Sequence, residues 1–68
     1  MNPKYPEIAV DLSQQDGNAF YIIGAVRKAL RRAGLTANEI AKFTDEAKAG
    51  DYDHLLQTCI EWVELIDA

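Results

Sequence analysis

The sequence predicts a mainly α fold, a three-helix domain led by an N-terminal extended arm or short strand. Three observations predict it. Apolar residues recur at helical spacing in three segments. Gly34 and Gly50 stand between those segments as stops. Residues 8–12 instead alternate, with Ile8, Val10 and Leu12 on one side and Ala9 and Asp11 on the other, which is the period of a strand. The alternative is an α+β arrangement in which residues 8–12 pair with residues 62–67, because a lone strand leaves its backbone groups without partners.

The chain has 68 residues, room for a single small domain over residues 1–68. Pro3 and Pro6 make residues 1–7 a flexible or extended lead-in rather than a helix. Ser13 to Gly17 reads as a turn by composition.

The first helix is expected from about Gly17 to Ala33, with Asp16 as N-cap and Ser13 as its competitor. Ala19, Ile22, Ile23, Val26, Ala29, Leu30 and Ala33 fall on one broad stripe. Arg27, Lys28, Arg31 and Arg32 fall opposite, in the last two turns, where cations complement the helix dipole. Gly34 supplies a left-handed stop.

The second helix opens on a capping box, Thr36-x-x-Glu39, and should run to about Ala49. Its stripe of Ile40, Phe43 and Ala47 is narrow, enough for one contact surface. Gly50 is expected to end it. The third helix opens on Asp51 as N-cap, with a stripe of Tyr52, Leu55, Leu56, Cys59, Trp62, Val63 and Ile66. Leu65 lies off that stripe, so the helix should loosen near residue 64. The expected core is Ile22, Ile23, Val26, Leu30, Ile40, Phe43, Leu55, Leu56, Cys59, Trp62 and Val63.

Charge is uneven. The net formal charge is −4, but residues 1–35 carry +2 and residues 36–68 carry −6. Such a polar molecule suits partners of either sign. One cysteine, Cys59, rules out an intrachain disulfide and fits a reducing, cytoplasmic setting. No secretory leader and no apolar run long enough for a membrane span is read, so no membrane partner is expected.

The chemistry-bearing residue types do not converge. Gly50-Asp51-Tyr52-Asp53-His54 offers two carboxylates and an imidazole in a short run. Asp51 is better explained as a cap, Asp53 by the positive helix end, and His54 as a solvated residue, so no metal and no cofactor is expected. Asp11 to Ile22 fails as a calcium loop, since Gln15 and Ile22 stand where ligands are required. Cys59 and His54 are five positions apart, on opposite sides of a helix, and make no nucleophile pair. Neither a catalytic residue nor an enzyme is indicated.

The first helix carries the best partner-binding candidates: Tyr21, Arg27, Lys28, Arg31 and Arg32. Phe20 and Gly24 share a flank with Arg27 and Arg31, and Tyr21 shares one with Lys28 and Arg32. Aromatics among cations suit base stacking and phosphate contact. The plainer reading puts Phe20 at the core edge and uses Gly24 for close approach of the arm. The negative total weighs against nonspecific DNA binding.

Asp16-Gly17-Asn18-Ala19-Phe20 and Gly50-Asp51-Tyr52-Asp53-His54-Leu55-Leu56 resemble the two signatures of a family of short bacterial and phage proteins without an assigned activity. The likeness covers about residues 8–65. It implies no catalytic residue. It implies that Asp16, Asn18, Asp51, Asp53 and His54 sit at two helix starts that act together.

The function expected is a non-enzymatic interaction module with an unidentified protein partner, self-associating as a homodimer in one version. Nucleic-acid contact through the basic helix is the first alternative. The second is a phage-type inhibitor that imitates nucleic acid with a ridge of Glu39, Asp45, Glu46, Glu61 and Glu64.

Overall fold

The computed structural model describes residues 3–11 and 18–66. Its elements run β1 (Tyr5–Asp11), α1 (Ala19–Arg32), α2 (Ala37–Ala47), α3 (Tyr52–Trp62) and β2 (Val63–Ile66). The fold is mainly helical, with a two-stranded sheet in which β1 and β2 lie parallel. The register joins Tyr5 to Val63 and then Ala9, Val10 and Asp11 to Glu64, Leu65 and Ile66, with an irregularity between. Parallel strands need a long crossover, and the three helices provide it.

The extended arm therefore finds its ladder partner within the chain. Ile8 and Val10 are buried, while Glu7, Ala9 and Asp11 are exposed. In β2, Val63 is buried and Leu65 half-buried, while Glu64 and Ile66 are exposed. Both strands lay one face on the helices. The α+β pairing given as the alternative is thus observed, over Tyr5–Asp11 and Val63–Ile66, and the helical stripe stops at Trp62 rather than Ile66. The backbone N–H of Val63 still bonds the Cys59 carbonyl, and the chain then extends. Pairing with β1 outweighs the helical spacing of Val63 and Ile66.

Lys4 and Tyr5 anchor the arm to the helices. The Lys4 N–H donates to the Glu61 carbonyl at 2.9 Å, serving an unpaired acceptor at the end of α3. The Lys4 ammonium sits 4.2 Å from the centre of the Trp62 ring. The Tyr5 ring lies 6.0 Å from that of Trp62, and its hydroxyl donates to Glu39 at 2.9 Å. Trp62 also meets Phe43 edge-on at 5.6 Å. Lys4 and Tyr5 thus tie the extended lead-in to α2 and α3; residues 1 and 2 lie outside the described residues.

The core joins Ile8 and Val10 of β1, Ile22, Ile23, Val26 and Leu30 of α1, Ile40, Phe43 and Ala47 of α2, Leu55, Cys59 and Trp62 of α3, and Val63. Of the expected core, only Leu56 is no more than half-buried. Tyr52 and Ile66, expected on the buried stripe, are exposed. Thr58 is buried instead, its hydroxyl donating to the His54 carbonyl one turn back.

The N-cap of α1 is Asn18, whose side chain accepts from the Phe20 N–H at 2.8 Å. This corrects the assignment to Asp16, which lies outside the described residues with Ser13, Leu12 and the turn. Asn18 has the geometry because its extended backbone places a short acceptor over the first turn. At the other end, Gly34 has φ +93°, and the N–H groups of Gly34 and Leu35 bond the carbonyls of Arg31 and Leu30. That is a complete Schellman closure, as the glycine predicts.

Candidate functional site

Residues 50–54 fold into the junction between α2 and α3. Asp51 caps α3, accepting from the His54 N–H at 2.9 Å. Asp53 follows in the first turn, where its charge meets the positive helix end. The His54 ring turns back, and its Nε2 lies 2.8 Å from the Glu46 carbonyl in the last turn of α2. A carbonyl only accepts, so the proton must be on Nε2. Gly50 does not take the left-handed conformation expected of a stop. Its requirement is space: a Cβ there would stand 2.8 Å from both Cβ and Cγ of His54. The Glu46 carboxylate, in turn, accepts from the Trp62 indole at 3.4 Å. Gly50, Asp51 and His54 are thereby spent on joining two helices. Among the described residues, no group of three His, Cys, Asp or Glu side chains is placed to hold a metal. Cys59 is buried, and burial pushes its thiol up to about 11, while His54 is exposed.

Two carboxylates of the imagined acidic ridge have local duties. Glu39 closes its capping box with Thr36 and accepts from Tyr5. Its carboxyl is held below the usual range, first by the Thr36 backbone N–H and then by the Tyr5 hydroxyl. Tyr5 is correspondingly raised, chiefly by that same hydrogen bond. Glu46 serves Trp62.

The exposed surface of α1 is where unspent groups gather. Phe20 is 82% exposed, Tyr21 59%, and Tyr52 at the start of α3 is 43% exposed. Phe20 is therefore not at the core edge. A Cβ on Gly24 would meet nothing within 4 Å, so no close approach of the arm explains that glycine. Phe20 and Tyr52 border a groove floored by Ala19, Ile23, Ala47 and Leu55.

The four cations of α1 divide between two grooves. Arg27 and Arg31 line one against α2, with Leu35, Ala37, Ile40 and Ala41. Lys28 and Arg32 line another against β1, on the flank that also bears Tyr21. All four are exposed. The expected basic face is therefore two pairs on two flanks. Asn18 and Phe20 belong to the start of α1, and the groove beside Phe20 also touches Gly50, Asp51 and Tyr52. Ala19 and Phe20 at the start of α1 thus share that groove with Gly50, Asp51 and Tyr52 at the start of α3.

Among the described residues, no helix is long and apolar enough to cross a membrane. No protein-family model matches the chain, and no curated protein or solved structure gives a significant match to it.

Proposed function

We propose that this chain is a non-enzymatic interaction module that engages a protein partner through the aromatic patch of Phe20, Tyr21 and Tyr52. The exposure of Phe20 carries the reading. The core closes without it, and a large aromatic left in water beside an apolar groove is a surface that contact would bury. A second copy is the first partner to consider, since a protruding ring next to a groove on one patch is self-complementary about a two-fold axis. A reducing, cytoplasmic setting suits the single buried thiol. The resemblance to short bacterial and phage proteins supports treating the two helix starts as one surface.

The test is a photo-crosslinking residue in place of Phe20, expressed in the native host, with sedimentation of the purified chain beside it. Adducts lost in Tyr52→Ser, or a dimer weakened by Phe20→Ser, support the reading. A strict monomer that yields no adduct overturns it.

Nucleic-acid contact is the second reading, favoured by Tyr21 lying exposed on the flank of Lys28 and Arg32. It requires oligonucleotide binding that weakens steeply with salt. Lys28→Ala with Arg32→Ala should abolish it, and Arg27→Ala with Arg31→Ala should weaken it less.

A further inference from the structure

The groove between β1 and α1 has a different construction from the aromatic patch. Its strand wall is Glu7, Ile8, Ala9, Val10 and Asp11, five consecutive residues. Successive side chains of a strand point to opposite faces, so only a backbone edge presents consecutive residues to one groove. The sheet has two strands, and among the described residues β1 has β2 on one edge and no strand on the other. The helix wall is Ala25, Lys28, Ala29, Arg32 and Ala33, a single stripe one or two turns apart. The three alanines leave the groove open, at about 500 Å³, and the two cations stand along it. Among the described residues, no ion pair engages Lys28 or Arg32.

We infer that this groove takes an extended, acidic segment of a protein partner, which adds a third strand along the outer edge of β1 with its carboxylates turned toward Lys28 and Arg32. The inference rests on the interaction-module reading and gives it a second surface with a stated ligand chemistry. Backbone pairing supplies the affinity, and alternate side chains supply the choice of sequence. Residues of the incoming strand that face α1 meet small side chains and two positive charges. Those on the outer face lie beside Glu7, where acidic groups gain nothing. Pro6 lacks an N–H and adds no donor to such a ladder.

A second copy of β1 is the wrong occupant. It offers Ile8 and Val10, not carboxylates, on the side that faces α1. An antiparallel pairing about a two-fold axis would also bring its own Lys28 and Arg32 up against the first pair. A nucleic acid would meet the cations and leave the strand edge without a ladder.

The probe is a nine-residue peptide of alternating glutamate and threonine, with blocked termini and a fluorescent label, read by anisotropy at low salt. Binding is expected. It should weaken about tenfold in Lys28→Glu with Arg32→Glu, two exposed changes whose folding is checked by circular dichroism. That variant should instead accept the peptide with lysine in place of glutamate. N-methylation of alternate peptide nitrogens, in either phase, separates strand addition from simple charge attraction, and one phase should abolish binding. The inference is overturned if the glutamate peptide does not bind, if the lysine peptide binds equally to the parent chain, or if neither methylated peptide is impaired. It is also overturned if octathymidylate alone binds. None of these outcomes alters adducts at position 20, so failure here and failure of the aromatic patch are separable.

Discussion

Nε2 of His54 stands 2.8 Å from the carbonyl oxygen of Glu46, and the ring reaches it across a residue that has no side chain, Gly50. The close approach fixes how α3 leaves α2. Gly50→Ala puts a carbon 2.8 Å from Cβ and Cγ of His54, so the junction must shift, at a cost of about 1–3 kcal/mol. His54→Ala forfeits one hydrogen bond, about 0.5–1.5 kcal/mol. The double variant should lose less than the two losses added, because alanine at 50 already displaces the ring. Urea unfolding of the three variants measures the coupling.

Gly24, within α1, and Gly34, just past its end, make a contrasting pair. Gly34→Ala forces a side chain into φ +93° and should cost about 1–2 kcal/mol. Gly24→Ala lies within α1 with nothing near its added carbon and should gain about 0.5–1 kcal/mol. Opposite shifts in thermal midpoint are expected.

Acid should loosen the arm. Glu39 sits below the ordinary carboxylate value of 4.5 in the fold. Such a group stabilises the fold above that ordinary value, and its contribution is lost as pH falls through the lowered one. Glu39→Gln and Tyr5→Phe should each flatten the acid limb of a stability–pH curve. A curve unchanged in both variants would contradict the hydrogen bond.

Cys59 predicts the alkaline side. Its thiol is raised from 9.0 to about 11 by burial, so the unfolded chain ionises first. Its contribution is complete below pH 9 and is lost as pH rises toward 11. Tyr5, raised from 10.0, acts in the same sense at higher pH. Modification of Cys59 by a thiol reagent at neutral pH should proceed only as fast as the fold opens, and should be immediate in denaturant.

Phe20→Ser should leave stability within about 0.5 kcal/mol, because the ring is in water. A larger loss would place Phe20 in the core and remove the basis of the aromatic patch.

The helices were legible in the sequence because each carries its own punctuation. The capping box of Thr36 and Glu39, the Asp51 cap and the Gly34 closure are local devices, and local residues suffice to read them. Val63 to Ile66 was harder. Val63 and Ile66 satisfy the helical period counted from Cys59, and only the distant partner β1 turns them into a strand. Asn18 and Asp16 are both good caps in sequence, and the backbone decides between them. The sequence marks Gly50 as a helix stop, whereas the side chain four residues on is what demands a glycine there. On the candidate surface, sequence spacing already separated Arg27 and Arg31 from Lys28 and Arg32. What it lacked was the second wall of each groove, which β1 and α2 supply.

The bond between β1 and β2 also sets an order of events. All three helices lie between Tyr5 and Val63, so the sheet closes the longest loop in the described chain. Closure entropy rises with that span, whereas helices assemble from near neighbours and form quickly. The ladder should therefore form last in folding and release first. Those amides of residues 9–11 that donate to β2 should exchange their hydrogens sooner than the amides of Val26 or Phe43, through an opening that frees the arm while the helices persist. A strand seated against the outer side of β1 would weight that ladder shut, and slowed exchange at those few amides would register its arrival.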